Sequence, residues 1–260
     1  MSRDEDRAPL PPHPTLDRYY ADPASQRAFL DSMFAATAPH YGRLDGLVSL
    51  GSGPHYRRYA LQRAGLKPGM DMLDVATGTG LVAQAARALV GPLGRVTGLD
   101  RNGGMLAEAR RTLGPGLVQG TAEYLPFRDD RFDFLSMGYA LRHVTDLGVT
   151  FREYFRVLKP GGTVLILEFS RPRSRLGFAA GRLYLKRIVP WLARWRAGSH
   201  EAEILMSYCW DTVEHCVPGD LIVDALTRSG FDTVRRSGWF GVFVEYAARK
   251  PGPMRPDATA

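Results

Sequence analysis

The chain is poor in cysteine and lacks any long hydrophobic run, and both absences narrow its class. Its 260 residues include two cysteines, Cys209 and Cys216, which is too few for a disulfide framework. On one helix their spacing would be about 10 Å, too far for a disulfide bond. No apolar stretch approaches the ~20 residues of a membrane-spanning helix. The charged N-terminus has no apolar core behind it, which argues against a secretory signal. A reduced, cytoplasmic compartment is expected.

Acidic residues are missing from one part of the chain. Between Ser170 and His200 there is no Asp or Glu, while eight basic residues occur there: Arg171, Arg173, Arg175, Arg182, Lys186, Arg187, Arg194 and Arg196. Without these eight, the formal net charge of +7 would be −1. The basic character of the protein is therefore local.

The basic stretch also contains large apolar side chains, among them Leu183, Tyr184, Trp191 and Trp195. Such a mixture predicts contact of residues 171–198 with an anionic membrane surface, at the inner face of the membrane. A solvated helical lid over a substrate site is the alternative. Nucleic acid is not expected as a partner, because no recognised nucleic-acid-binding motif accompanies these residues.

Strand-like and helix-like segments alternate through the middle of the chain, which predicts a parallel sheet covered by helices on both faces. The predicted strands are Met70–Ala76, Arg95–Leu99, Leu117–Gln119, Phe132–Met137 and Thr163–Phe169, and the helices between them are Leu81–Leu89, Gly104–Leu113 and Asp146–Leu158. Helices over 23–41 and 54–64 precede this pattern. Helices over 201–215 and 219–229 and a hairpin of Asp232–Arg236 with Gly241–Ala247 follow it.

The domain organisation predicted from this pattern is simple. Residues 1–22 are rich in proline and charge and are expected to form a disordered or loosely packed arm. Residues 23–250 are expected to form one domain, with a helical N-terminal cover and a basic helical insertion or lid at 171–218 before the last strands. Residues 251–260 would be a flexible tail.

A glycine-rich loop, Asp74-Val75-Ala76-Thr77-Gly78-Thr79-Gly80, joins the first predicted strand to its helix. Glycines there allow close approach of a ligand, and the helix start offers amide donors. Asp100 lies 22 residues after Gly78, where a ribose-binding acid of a dinucleotide fold would fall. An NAD-binding oxidoreductase is therefore one interpretation of this loop.

The carboxylate of Asp74 favours a different ligand. It would repel a pyrophosphate but suits a cationic group such as the ammonium of an amino acid. S-adenosylmethionine (SAM) carries an ammonium, a sulfonium and a ribose diol. Asp100 could accept hydrogen bonds from both ribose hydroxyls. The loop and the two carboxylates together predict SAM as the cofactor, with a strand-end or cap role for Asp74 and a helix cap for Asp100 as the alternatives.

Three further segments support this prediction. They are Ala122-Glu123-Tyr124-Leu125-Pro126-Phe127, the run from Met137 to Asp146 with Leu141-Arg142-His143-Val144-Thr145-Asp146, and Leu167-Glu168-Phe169-Ser170. With these segments the chain, from about Ser32 to Lys250, resembles the class I SAM-dependent methyltransferases. It most resembles the ubiquinone/menaquinone-biosynthesis C-methyltransferases among them.

The resemblance implies an α/β fold, a Rossmann-like seven-stranded doubly wound sheet whose last strand is antiparallel. It also implies a set of cofactor-binding residues: Tyr41, Asp74, Ala76, Thr77, Gly78, Gly80, Asp100, Arg101, Met105, Thr121, Ala122 and Met137. By this analogy Asp74 and the loop backbone would hold the methionyl part, and Asp100 the ribose. Met105, Thr121 and Ala122 would surround the adenine, and Tyr41 would cover the bound cofactor.

The chain departs from the family pattern at several positions. Gly42, Thr121 and Leu81 stand where the family usually has Asp, and His143 stands where it has Asn. The segment Ser49–His55 is also longer than the family's corresponding stretch. These differences fall on the cofactor and substrate sides of the expected site.

Arg142 and His143 are the catalytic candidates. Methylation of a quinol carbon needs a ring hydroxyl to lose its proton. Arg142 could orient a water and stabilise the phenolate, while His143 is the strongest base candidate in its segment. A structural ion pair for Arg142 and simple packing for His143 remain alternatives. No metal site is predicted, because the other histidines lack ligand spacing.

The sequence thus predicts a SAM-dependent methyltransferase with a lipophilic small-molecule substrate, a demethylated isoprenoid quinol methylated on a ring carbon. Another small molecule or a phospholipid amine is an alternative acceptor. A non-catalytic nucleotide-binding or accessory protein is the alternative from another class. A homo-oligomer is compatible with the sequence.

Overall fold

A seven-stranded sheet forms the centre of the computed structural model, which describes residues 9–172, 174–192, 200–239 and 242–252. Its strands are β1 (Asp71–Val75), β2 (Arg95–Asp100), β3 (Leu117–Gln119), β4 (Phe132–Gly138), β5 (Leu158–Phe169), β6 (Asp232–Trp239) and β7 (Phe243–Arg249). The spatial order is β3-β2-β1-β4-β5-β7-β6. The first five strands are parallel, and β7 is antiparallel to both β5 and β6. The predicted α/β class and the closing hairpin are confirmed.

Helices cover both faces of the sheet and one end of it. They are α1 (Pro23–Thr37), α2 (Tyr41–Val48), α3 (Gly53–Arg63), α4 (Leu81–Val90), α5 (Gly103–Leu113), α6 (Leu147–Val157), α7 (Arg175–Leu183), α8 (His200–His215) and α9 (Gly219–Arg228). A short 3-10 turn, Leu141–His143, follows β4. A π-helical turn, Tyr184–Ile188, continues α7.

Local sequence explains where several of these helices begin. The Asp22 side chain accepts hydrogen bonds from the amides of Ala24 and Ser25, and the Ser25 hydroxyl accepts one from the Asp22 amide. This is a capping box, which satisfies free amides at a helix start. Asn102 caps α5 and Asp146 caps α6 in the same way, through single bonds to backbone amides.

Three apolar clusters hold the fold together. One face of the sheet packs on α6 and α9, with Phe151 and Leu226 in its centre, and the other packs on α3 and α4, around Leu61 and Ala86. The third cluster joins α1, α2 and α8 with the π-helical turn, and Trp210 lies within it. This third cluster forms the helical cover of the candidate site.

The N-terminal arm is not loosely packed where the structure describes it, so the prediction for residues 1–22 is wrong over this part. The Leu10 amide donates to Asp146, and the Leu10 carbonyl accepts from Leu147. The Val217 amide donates to the Pro12 carbonyl, and Tyr20 is buried. These bonds join positions more than 100 residues apart, so local polarity could not reveal them.

Part of the predicted basic stretch lies outside the described residues, namely Arg173, Arg194, Trp195 and Arg196. The same holds for Gly241, for residues 1–8 of the arm and for 253–260 of the tail. Over the described ranges, no helix combines the length and the apolar character that crossing a membrane requires.

Candidate functional site: two adjoining cavities

A cavity of about 290 Å³ opens at the carboxyl ends of β1, β2 and β4. The strand order reverses at this point of the sheet, which is where α/β folds bind ligands. Ten of the predicted residues line it: Tyr41, Ala76, Gly78, Asp100, Arg101, Met105, Thr121, Ala122, Met137 and His143. We call it the first cavity.

Asp100 is the carboxylate on the wall of the first cavity. Its Oδ2 accepts from the Gly78 amide at 2.8 Å, and its Oδ1 accepts from the Asn102 amide at 2.8 Å. Burial raises the pKa of Asp100, and these amide hydrogen bonds oppose the rise. Each carboxylate oxygen can accept more than one bond, so Asp100 both holds the glycine loop and keeps acceptors for a diol.

Asp74 lies at the predicted end of β1 and not on the wall of the first cavity. It accepts hydrogen bonds from the hydroxyls of Thr77 and Ser136. Burial raises its pKa to about 6, although both hydroxyl bonds lower it. These bonds hold the loop, and a contact of Asp74 with a methionyl group stays a prediction.

Thr77 and Gly80 also lie off the wall of the first cavity. The Thr77 hydroxyl is used by Asp74, while Gly80 has a φ of +87° at the start of α4. A Cβ at Gly80 would lie 2.6 Å from a Leu113 methyl. These residues therefore shape the loop, and Ala76 and Gly78 present it to the ligand.

Helix α1 is fastened over the opposite side of the first cavity. Arg101 forms an ion pair with Asp31 at 2.8 Å, and the Asn102 side chain donates to the Asp31 carbonyl at 2.8 Å. Arg27 and Phe34, from the same helix, line the cavity. A helical N-terminal cover is present as predicted, but its bonds to Arg101 and Asn102 left no sequence signal, because they depend on packing between α1 and the end of β2.

A second cavity adjoins the first. Phe34, Tyr41, Tyr139 and His143 border both. The remaining wall of the second cavity is formed by Leu44, Asp45, Val48, Arg142, Phe169, Leu205, Met206, Tyr208 and Cys209. Its free volume is about 50 Å³, so a ligand ring would reach it from the junction with the first cavity, and its aromatic and aliphatic surfaces suit the apolar part of such a ring.

Arg142 lies in the second cavity and not in the first. Its guanidinium is buried and forms an ion pair with Glu168. Burial alone would lower the pKa of Arg142, but the Glu168 carboxylate outweighs it and the pKa is raised. The predicted ion pair is therefore present, and the Arg142 Nε has no partner among the described residues.

His143 lies where the two cavities meet. Its ring stacks on Tyr208, with centroids 5.7 Å apart, and meets Phe34 edge-on at 5.4 Å. Burial, with a smaller effect of the Arg142 charge, holds the pKa of His143 well below its usual value. The imidazole is therefore neutral at physiological pH, and no described residue bonds to its Nδ1.

The residues of the first cavity fit SAM. Asp100 offers acceptors for a ribose diol, while Leu99, Met105 and Ala122 provide an apolar slot for a purine. Phe34, Tyr41 and Tyr139 add aromatic surfaces near the second cavity, and such surfaces attract cationic groups. In this arrangement the sulfonium would lie near the junction of the two cavities.

Comparison with known proteins agrees with this geometry. Residues 22–249 match the model of the ubiE/COQ5 methyltransferase family. The ubiquinone/menaquinone biosynthesis C-methyltransferase UbiE of Shewanella sediminis is 38% identical over 175 residues, 64% of this chain and 70% of that protein. The same enzyme of Shewanella woodyi is 35% identical over 187 residues, 69% of this chain and 74% of that protein.

Solved structures share the fold. A SAM-dependent methyltransferase from Aquifex aeolicus superposes with a TM-score of 0.54 at 20% identity, covering 74% of this chain and 88% of that one. The predicted fold is thereby supported from a second direction. The chain belongs to the ubiE/COQ5 methyltransferase family and is a SAM-dependent methyltransferase.

Proposed function

We propose that this enzyme methylates a ring carbon of a demethylated isoprenoid hydroquinone, with the ring in the second cavity. The observation that carries the proposal is the pair of neighbouring residues Arg142 and His143. Both line this aromatic cavity, and each has a buried nitrogen without a partner among the described residues. A buried polar atom without a partner calls for a water, a ligand or a catalytic role, and the aromatic cavity beside both residues favours the last two. The relatives' names support a quinone substrate.

The two residues have complementary chemistry. His143 is neutral because burial lowers its pKa, so it can accept a hydrogen bond from a ring hydroxyl, and it can take that proton as a phenolate forms beside Arg142. The Arg142 guanidinium, which remains protonated, can donate to the resulting phenolate oxygen. The ion pair with Glu168 fixes this guanidinium in place.

Bound SAM would supply an electrophilic methyl group at its sulfonium. Loss of the hydroxyl proton to His143, with Arg142 stabilising the phenolate, raises the electron density at the neighbouring ring carbon, which is where the methyl group would be accepted. The hydrogen at that carbon would then leave to water as a proton, and His143 would return its proton to the ring oxygen, which restores the aromatic hydroquinone. The protein's part is to align the ring with the first cavity and to exclude water.

A methylation assay tests this proposal. Purified protein with SAM is given a short-chain demethylated naphthohydroquinone under anaerobic conditions, and the product is identified by mass spectrometry and proton NMR. We expect a C-methylated ring, and a rate at least a hundredfold lower for Arg142→Met. Methylation of phosphoethanolamine in place of the quinol would contradict the proposal.

We also propose that the basic stretch brings the enzyme to an anionic membrane. On the outer side of α7 and the following turn, Leu176 is 86% exposed, Leu183 57% and Trp191 66%. Arg175, Arg182 and Arg187 are exposed beside them, while Leu185 and Val189 face the cover. A helix with exposed leucines and flanking arginines suits a lipid interface, where an isoprenoid substrate would be found.

Vesicle co-sedimentation tests the membrane proposal. We expect binding to vesicles with phosphatidylglycerol, weaker binding at high salt, and at least a tenfold loss for the double variant Leu176→Glu/Leu183→Glu, since burying each leucine is worth about 1.5–3 kcal/mol. Leu93→Glu is the matched control, because Leu93 is 89% exposed but lies in the loop before β2. Equal binding of wild type and double variant would refute the assignment.

A further inference from the structure

Asp45 is the acidic side chain on the wall of the second cavity. It lies on α2, where Tyr41, Leu44, Asp45 and Val48 share one helix face and all line the cavity. The other residues of this face provide aromatic and aliphatic surface. Asp45 therefore places a carboxyl group where the proposed substrate ring would lie.

The surroundings of Asp45 leave one of its oxygens available. Arg57, which is buried, donates to Asp45 Oδ1. Oδ2 lies 3.2 Å from the position that a Cβ on Gly53 would occupy, and among the described residues no side chain donates to it. Burial raises the pKa of Asp45 and the Arg57 charge opposes this. The ion pair with Arg57 favours the carboxylate form.

A carboxylate in contact with an aromatic ring discriminates between ring substituents. It accepts hydrogen bonds and cannot donate them. A ring hydroxyl can donate to it, whereas a quinone carbonyl or an ether oxygen also only accepts and would be repelled. Such an unpaired acceptor in a buried site costs binding energy.

Arg142, on the turn after β4, contributes the opposite chemistry to the same cavity, since a guanidinium only donates. Tyr41 lies close enough to both residues for the charges of Arg142 and Asp45 to act on its pKa, which burial raises to about 12. The cavity thus offers a donor for one ring oxygen and an acceptor for another.

We infer that Asp45 accepts a hydrogen bond from the second ring hydroxyl of the substrate and thereby admits the hydroquinone and excludes the quinone. This inference rests on the proposed function, because it places the aromatic ring in the second cavity. The selection has a chemical purpose, since only the reduced ring is electron-rich enough to take a methyl group. An oxidised ring would occupy the site without reacting.

Anaerobic calorimetric titration of the full chain tests this role. S-adenosylhomocysteine is present so that no transfer occurs, and the probes are 1,4-dihydroxynaphthalene and 4-methoxy-1-naphthol. The two share a ring and one hydroxyl and differ in whether the second oxygen donates. For wild type we expect the diol to bind about ten- to a hundredfold more tightly, as for a hydrogen bond to a charged group. For Asp45→Asn we expect the two probes to bind within about threefold of each other, because an amide both donates and accepts.

Arg57→Lys separates a binding role of Asp45 from a structural one. It disturbs the same ion pair but keeps a cation beside the carboxylate, so we expect it to lower stability and retain the preference for the diol. The inference is overturned if Asp45→Asn keeps the wild-type preference, or if Arg57→Lys loses it equally. The ratio of the two probe affinities for the wild-type protein tests the inference without any variant. Equal binding of both probes overturns the inference. If neither probe binds wild type, the proposed function fails and the inference with it.

Discussion

Replacement of Glu168 by glutamine tests the most deeply buried charge pair at the site. The Glu168 side chain is 2% exposed and that of Arg142 is 7% exposed. Opposite charges about 4 Å apart attract by about 4 kcal/mol at an effective dielectric constant of about 20. Removing one member of a buried pair costs about 3–5 kcal/mol, because the other is left uncompensated. The glutamine oxygen can still accept a hydrogen bond from Arg142, so we expect Glu168→Gln to lower the free energy of unfolding by about 3 kcal/mol.

Urea denaturation followed by circular dichroism measures this loss. A double-mutant cycle with Arg142→Met isolates the pair, and we expect a coupling energy of about 3 kcal/mol. Asp224→Asn is the matched control, because Asp224 pairs with Arg228 on the surface, where the side chains are 47% and 59% exposed. Such pairs contribute about 0–1 kcal/mol. A coupling energy below about 1 kcal/mol for the buried pair would refute the view that Glu168 fixes the guanidinium.

Three further outcomes are expected. Asp100→Asn weakens SAM binding about ten- to a hundredfold by calorimetry; an unchanged affinity would remove Asp100 from the cofactor site. Gly80→Ala lowers the free energy of unfolding more than Gly78→Ala does. Both glycines have a positive φ, but only at position 80 would the new Cβ clash with Leu113. Equal losses of unfolding free energy in the two variants would contradict this. Because the pKa of His143 is held well below 6.5 in the folded protein, the unfolded chain takes up the proton first as the pH falls. The free energy of unfolding therefore falls below pH ~6.5, by up to about 1.4 kcal/mol per pH unit. We expect the free energy of unfolding of His143→Asn to fall less steeply with pH, because the titrating group is gone. An identical slope in the variant would show that His143 is not buried neutral.

The first five strands could be predicted to within a few residues, except at the start of β5, because each is a short apolar run between glycine or proline turns. Strand β5 begins at Leu158, five residues before the predicted start at Thr163. The residues Lys159 to Gly162 are typical of a turn, but Leu158 pairs with Phe132 and so extends the strand. The glycine loop and Asp100 could be found because a strand, a tight turn and a helix start leave a local pattern. Most of the first cavity followed from that pattern and from the family resemblance.

The second cavity could not be predicted, because its walls come from segments far apart in the chain. Asp45 and Tyr208 meet there only because α2 and α8 pack in the same helical cover. Glu168 was visible as part of a motif, but its pairing with Arg142 is a contact across two strand ends. For the same reason the bond between Asp74 and Ser136, on the neighbouring strand, could not be predicted.

The two buried ion pairs beside the second cavity, Arg142–Glu168 and Asp45–Arg57, are poorly explained by stability. Desolvating two charges costs several kcal/mol per ion, and well-packed apolar residues at such positions are often equally or more stabilising. In each pair one charge lies on the cavity wall and its partner lies behind it. The opposite charge of the partner therefore stabilises the charged group on the wall of an apolar pocket. Without the partner, water would have to solvate that charge. That arrangement positions one donor and one acceptor for a ring with two oxygens, which an apolar wall of equal stability could not do.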